Sequence, residues 1–350
     1  MLGVEELVRV AQASGASDIH IICGMPIKYR LDGELENMSE EPLNESDCLG
    51  YARELAKDGF EELMKSGELD AADTFAGIRC RIHIFKQKGI PSVALRLLRE
   101  DIPELDKLGL PPAVFNLPNL HKGIVLVTGE TGSGKSTTLA ALLDSINHTR
   151  KSHIVTLEDP IEYVYKPDLC AINQREVGPG KDTRSFAYGL RASLREDPDV
   201  ILIGEMRDPE TIETAITAAE TGHLVFGTLH TGSAADSIDR IVQVFPENAQ
   251  PQIRLQLSMT LEAVLTQQLI KKKTGGRVLA CEMMIVTDAI RNMIRTSNTP
   301  QIVNAIATSA ELGGQTMDQA LVRLVRMGQI SREMALHYCK DELYIKKNAI

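Results

Sequence analysis

One short stretch constrains this chain more than any other. Gly129-Glu130-Thr131-Gly132-Ser133-Gly134-Lys135-Ser136 satisfies G-x-x-x-x-G-K-[ST] at every specified position. An apolar run, 124–128, leads into it, and a helical run opened by Thr137 leads away. Such a loop works only between a strand and a helix. Its glycines let successive backbone N–H groups converge on phosphate oxygens, and the positive end of the helix adds to the pull on the anion. The expectation is a nucleotide site in which Lys135 reaches the β- and γ-phosphates and the Ser136 hydroxyl ligates Mg²⁺.

Further apolar runs at 154–157, 200–203 and 224–229 alternate with helical ones. That alternation predicts an α/β fold with a parallel sheet, whose strands are apolar throughout because both faces are covered. The residues at the strand ends carry the chemistry. The run 200–203 ends on Gly204-Glu205, and an acid there holds the Mg²⁺ shell opposite the phosphates. Gly204 stands where Asp is common, so Glu205 carries that role alone. The run 154–157 ends on Glu158-Asp159-Pro160-Ile161-Glu162. Carboxylates at the carboxyl edge of a parallel sheet can polarise an attacking water. This reading expects the strand before them to neighbour the strand before the glycine loop. The run 224–229 has His223 at its start and His230 after its end, where His230 is placed to hydrogen-bond a γ-phosphate.

The first 100 residues follow a different pattern. Val4, Leu7, Val8 and Ala11 recur at helical spacing. A strand is expected at 18–22, and 28–31 followed by Asp32-Gly33 has the signature of a hairpin. A helix is expected over 46–65, and strands at 78–84 and 93–98. Together these predict a smaller α+β domain with a mixed sheet and helices to one side. Pro103, Pro111, Pro112 and Pro118 mark 101–118 as a linker, leaving 119–350 as the nucleotide-binding domain. From 248 to 345 the periodicity reads as mostly helical, with one strand near 278–285.

Composition narrows the partners. Lys plus Arg total 38 against 48 Asp plus Glu, a net charge of −10, which disfavours wrapping of nucleic acid. No run of about 18 apolar residues predicts a membrane span. The six cysteines form no CxxC pair, so the expectation is reduced, scattered thiols in a cytoplasmic protein.

Taken in order, "ASDIHI", "GETGSGKSTTLAALLD", "TLEDPIEY", "LREDPDVILIGEMRDPET" and "TAAETGHLVFGTLHT" resemble the secretion and pilus traffic ATPases, and within them the type IV pilus retraction ATPases. The resemblance spans nearly the whole chain, to "GQISRE". It implies a RecA-like P-loop ATPase domain with a smaller N-terminal PAS-like α+β domain, and a homohexamer that holds ATP and Mg²⁺ between its domains. It further implies an inner-membrane pilus platform protein as partner, docking at the cytoplasmic face, with pilin reached only indirectly. It assigns Glu162 as catalytic carboxylate, with Glu205 assisting at Mg²⁺ and water. Arg81 and Arg96 match nucleotide-contacting arginines, and Arg191, Arg195, Arg207 and Arg240 are candidates of the same kind. Ala289-Ile290-Arg291-Asn292-Met293-Ile294-Arg295 matches a motif the family needs for retraction. Thr296 and Glu130 depart from the family, replacing Glu and Pro. The alternatives are an extension or secretion ATPase, which usually carries an extra N-terminal domain and a tetracysteine zinc module, and a DNA-acting RecA-like motor. A chain opening at the PAS-like unit without CxxC is expected to retract pili rather than extend them.

Overall fold

The computed structural model describes residues 2–31, 34–98 and 101–349. They form two compact units, one comprising Met1–Asp101 with Pro160–Val164, the other Ile102–Asp159 with Tyr165–Ile350.

The first unit runs α1 (Val4–Ala13), β1 (Asp18–Ile21), β2 (Lys28–Leu31), β3 (Glu34–Asn37), α2 (Glu45–Ala56), α3 (Phe60–Ser66), β4 (Glu68–Phe75), β5 (Ile78–Gln87) and β6 (Ile90–Leu97). Its six strands are ordered β3-β2-β1-β6-β5-β4. Every pairing is antiparallel, which corrects the expected mixed sheet. The chain builds two hairpin sets, and α2–α3 carries it from one edge strand to the other, so no parallel neighbours arise. Asp32 and Gly33 lie outside the described residues, but Leu31 pairs with Glu34 across that hairpin. Ile78, Cys80, Ile82 and Ile84 of β5 alternate inward and share one core with Leu7 of α1 and Tyr51 of α2. The single helix expected over 46–65 is two, because the backbone turns at Lys57 with φ 49° and a 3-10 turn spans Lys57–Gly59. Strands β3 and β4 carry too many acidic side chains to stand out by apolar alternation.

The second unit comprises β7 (Gly123–Thr128), α4 (Lys135–Thr149), β8 (His153–Glu158), β9 (Ala171–Glu176), α5 (Phe186–Ser193), β10 (Val200–Ile203), α6 (Pro209–Glu220), β11 (Leu224–Leu229), α7 (Ala234–Gln243), α8 (Gln250–Thr260), β12 (Leu261–Lys271), β13 (Arg277–Ile285), α9 (Asp288–Arg295), α10 (Ile302–Thr308), α11 (Met317–Arg326), α12 (Arg332–Tyr338) and α13 (Glu342–Asn348). The sheet order is β13-β12-β7-β11-β10-β8-β9. It is parallel except at β12–β13. Strands β7, β10 and β11 are buried at every residue, as covering on both faces requires.

Three expectations change here. The strand before the acidic run, β8, does not adjoin β7, because β11 and β10 lie between them. The crossover through α4 skips two places, which later strands fill. Residues 261–271, read as helical, form β12, wedged between β7 and β13. The proline-bearing stretch forms 3-10 helices at Leu105–Leu108 and Pro112–Asn119. Val114 and Leu117 of the second are buried, so it packs as part of the second unit. Among the described residues no helix is long and apolar enough to cross a membrane.

Candidate active site

The carboxyl ends of β7, β10 and β11 open on one edge of the second unit's sheet. The loop after β7 depends on its glycines. Gly129 has φ 139°, Gly132 φ 80° and Gly134 φ 95°, values that L side chains avoid. A Cβ on Gly129 would lie 2.4 Å from the carbonyl oxygen of Gln267 and 2.7 Å from Ser133 Oγ, so this turn accepts no side chain. The loop closes with Ser133 N–H donating to the Glu130 carbonyl at 3.2 Å. Gly134 caps α4, whose first residue is Lys135. Lys135 Nζ donates to the carbonyls of Gly129 at 2.8 Å and Glu130 at 2.9 Å, so the ammonium lies over the loop. The Glu130, Thr131 and Ser136 side chains are exposed, and Thr137 is half-buried. Glu130 thus fills its non-glycine position without entering the cradle.

Strand β10 delivers Glu205 to the same edge. Its carboxylate accepts from Arg207 Nε and lies 3.3 Å from His230 Nε2. Burial and then the Lys135 charge push the His230 imidazole below its ordinary value, and Arg207 adds to that push while Glu205 opposes it. Lys135, Glu205, Arg207 and His230 therefore act on one another across three strand ends. The sheet also explains Gly204. A Cβ there would approach the Leu157 carbonyl oxygen to 3.0 Å and Glu158 Cα to 3.3 Å, so the Asp common at this position is sterically costly. The Gly204 carbonyl in turn accepts from Thr228 Oγ1 of β11, locking the two strand ends together.

The acidic run divides. Glu158 accepts from Thr156 Oγ1 at 2.6 Å and Gln174 Nε2 at 3.1 Å, a position held by β8 and β9. Asp159 is close enough to raise the Arg207 pKa, after the larger effect of Glu205. Glu162 lies in Pro160–Val164, which packs with the first unit. In that first unit Arg81 and Arg96 are exposed and face each other across β5 and β6. Arg96 Nε donates to Asp18 Oδ1 at 2.8 Å. Burial pushes the Asp18 carboxyl up, but hydrogen bonds from Ser17 and Arg96 outweigh it and hold it below its usual range.

Other candidates do not join the cluster. His223 is at the opposite, amino end of β11, where Nδ1 meets the Ala218 carbonyl at 2.8 Å and finishes α6. Arg191 pairs with Glu210, Arg195 Nη1 donates to the Arg191 carbonyl at 3.2 Å, and Arg240 is exposed on α7. In α9, Ile290 and Ile294 are buried and Met293 packs beside them, while Ala289, Asn292 and Arg295 lie toward solvent. Arg291 is engaged through both of its terminal nitrogens. It donates to both Glu262 carboxylate oxygens at 3.0 and 3.1 Å and to the Ser258 and Leu261 carbonyls at 2.9 and 3.1 Å. Thr296 caps the helix, its hydroxyl donating to the Asn292 carbonyl at 2.9 Å. Sequence reasoning missed Gln267, whose backbone closes over Gly129 while its amide donates to Thr138 Oγ1 of α4 at 2.7 Å; no motif signals it.

Among the described residues no group of three or more His, Cys, Asp or Glu could hold a metal. A Mg²⁺ bound through nucleotide phosphates and waters needs no such cage, and a helix-start hydroxyl, Ser136, with one carboxylate, Glu205, at a strand end of the same sheet edge fits that mode.

The sequence matches the profile of the type II/IV secretion system protein family over residues 3–336. The chain belongs to that family. Among relatives in the type II/IV secretion system protein family is the type IV pilus retraction ATPase PilT of Pseudomonas aeruginosa, 45% identical over 344 residues, covering 97% of this chain and 98% of the relative. A twitching motility protein of Neisseria gonorrhoeae is 49% identical over 258 residues, 73% of this chain and 68% of its own. Among solved structures, a crystal structure of the pilus retraction motor PilT with bound ADP aligns at a TM-score of 0.92, with 45% identity over 99% of this chain and 100% of that one. The family fold, a RecA-like unit with a smaller N-terminal domain, is thus also this chain's.

Proposed function

We propose that this protein is an ATP-hydrolysing motor that powers type IV pilus retraction. The observation carrying this reading is the convergence of Lys135, Glu205, Arg207 and His230 on one sheet edge beside a glycine cradle, in a chain so similar to PilT. The residue roles follow from chemistry. Loop amides from Gly132 to Ser136, with the positive end of α4, bind the phosphates, and Lys135 neutralises the β- and γ-oxygens. Ser136 and Glu205 would hold a Mg²⁺ brought in with the nucleotide, and that ion would supply charge neutralisation at the phosphates. His230 donates to the γ-phosphate from its neutral form and so distinguishes ATP from ADP. Glu162 is the carboxylate that orients and deprotonates the attacking water, and Arg81 and Arg96 supply positive charge to the transferring phosphoryl group.

The protein works as a homohexamer at the cytoplasmic face of the inner membrane, passing motion to a pilus platform protein. The test is deletion in the native cell. Loss of this protein should leave excess surface pili and no twitching motility, and a Lys135→Ala copy should fail to restore it while lacking ATP turnover in vitro. Bald cells after deletion would overturn retraction, and near-normal turnover by the variant would overturn the ATPase assignment.

A further inference from the structure

Glu282 is a carboxylate buried to 1% exposure that no step above uses. It lies in β13 opposite Thr266 of β12, which lies opposite Thr128 of β7, the residue before the glycine loop. The Thr128 and Thr266 hydroxyls are 2.9 Å apart, and residues paired across strands share a face. One row of side chains therefore runs from the base of the phosphate loop to Glu282. On that face the carboxylate meets two helix starts. The Ala234 N–H, at the first residue of α7, donates to Oε1 at 2.8 Å. The Met317 amide, at the first residue of α11, lowers the pKa of the same carboxylate, and the next residue of β13, Met283, holds Gln315, two residues before α11, through backbone hydrogen bonds of 2.8 and 3.0 Å. First-turn amides have no acceptor within their own helix, and both dipoles favour an anion there. Burial pushes the Glu282 carboxyl up, while the Ala234 amide, Lys340 and the Met317 amide pull it back.

The two helices lead in different directions. Helix α7 begins where the loop 230–233 ends, and that loop is stiffened by Thr231 Oγ1 and Ser237 Oγ at 2.6 Å and by Ser237 Oγ donating to the Ser233 carbonyl at 2.6 Å. Helix α11 shares a separate core with α12 and α13. We infer that Glu282 is a positioning residue that ties the loop carrying His230 to the C-terminal helices, so that the presence of a γ-phosphate at His230 is felt in α11–α13. This rests on the reading of the chain as an ATP hydrolase.

Glu282→Gln tests it in the full chain, because the amide keeps the shape but turns one acceptor into a donor that faces a donor. In the wild type, hydrogen exchange over 317–348 should differ between ADP and a non-hydrolysable ATP analogue. The variant should lose that difference, with kcat about tenfold lower and the KM for ATP within about twofold. Loss of packing alone would lower stability and leave the nucleotide-dependent difference in place. A variant with the wild-type kcat and exchange difference overturns the inference, as does a wild type whose 317–348 segment exchanges equally in both nucleotides. Should Glu282→Gln fail to fold, Glu282→Asp, which keeps the charge but is one methylene short, is read by the same two outcomes. Failure of the ATPase reading looks different: the wild type itself would show no turnover dependent on Lys135.

Discussion

His230 is set by its neighbours rather than by its own chemistry. Burial and the Lys135 ammonium hold its imidazole below the ordinary value of 6.5, so at neutral pH it is an uncharged donor. The sign for stability follows. The unfolded chain takes up the proton near 6.5, before the folded one does, so stability is intact above that pH and is lost as the pH falls below it. Replacing His230 with Gln, which cannot titrate, should shrink the drop in melting temperature between about pH 7.5 and about pH 5.5. An unchanged drop would show that other groups cause it; His20, also held low by burial, is present in both proteins. At this scale much was legible. Lys135, Ser136, Glu205 and His230 follow from short motifs because each motif encodes a local turn plus one reactive group. Gln267 was not legible, since its role is a backbone carbonyl brought against Gly129 by a distant strand.

Elements depend more on context. The stretch Leu261–Lys271 carries three Leu and two Gln, residues that favour helix, and it nevertheless forms β12. Its ladder partners on both sides, β7 and β13, supply backbone bonds and burial that outweigh local preference. Strand β13 was readable because its apolar run stands between clear breaks. Helix α9 shows how a motif recognised by sequence gains a physical reason. Arg291 closes the corner between α8 and β12 through four hydrogen bonds, two of them to Glu262. Arg291→Ala would leave that carboxylate and two carbonyls without their donor, a loss of about 1–3 kcal/mol in urea unfolding. Arg291→Lys, which keeps the charge but not the planar fork, should recover only part of it. A change below about 0.5 kcal/mol for the alanine variant would mean the corner holds without the clamp.

For the whole molecule, the division of labour among carboxylates is the sharpest question. Glu205 is on the RecA-like unit beside His230, whereas Glu162 packs with the smaller unit. If Glu162 activates the water, Glu162→Gln should bind ATP with an affinity within about twofold of wild type and lower turnover by about a hundredfold or more. Glu205→Gln should affect Mg²⁺ dependence instead. Normal hydrolysis by Glu162→Gln together with failure of Glu205→Gln would reverse the assignment.

The sequence by itself determined that a strand, a glycine cradle and a helix follow one another at 124–146, and that acids and a histidine end later strands. These are local facts, written in residues adjacent in the chain. Only the tertiary structure decided which strand ends meet. It separated β8 from β7, placed β10 and β11 so that Glu205 faces His230, and sent His223 to the far edge. Strand order depends on crossovers and on packing between residues remote in sequence, and spacing along a chain carries no record of it.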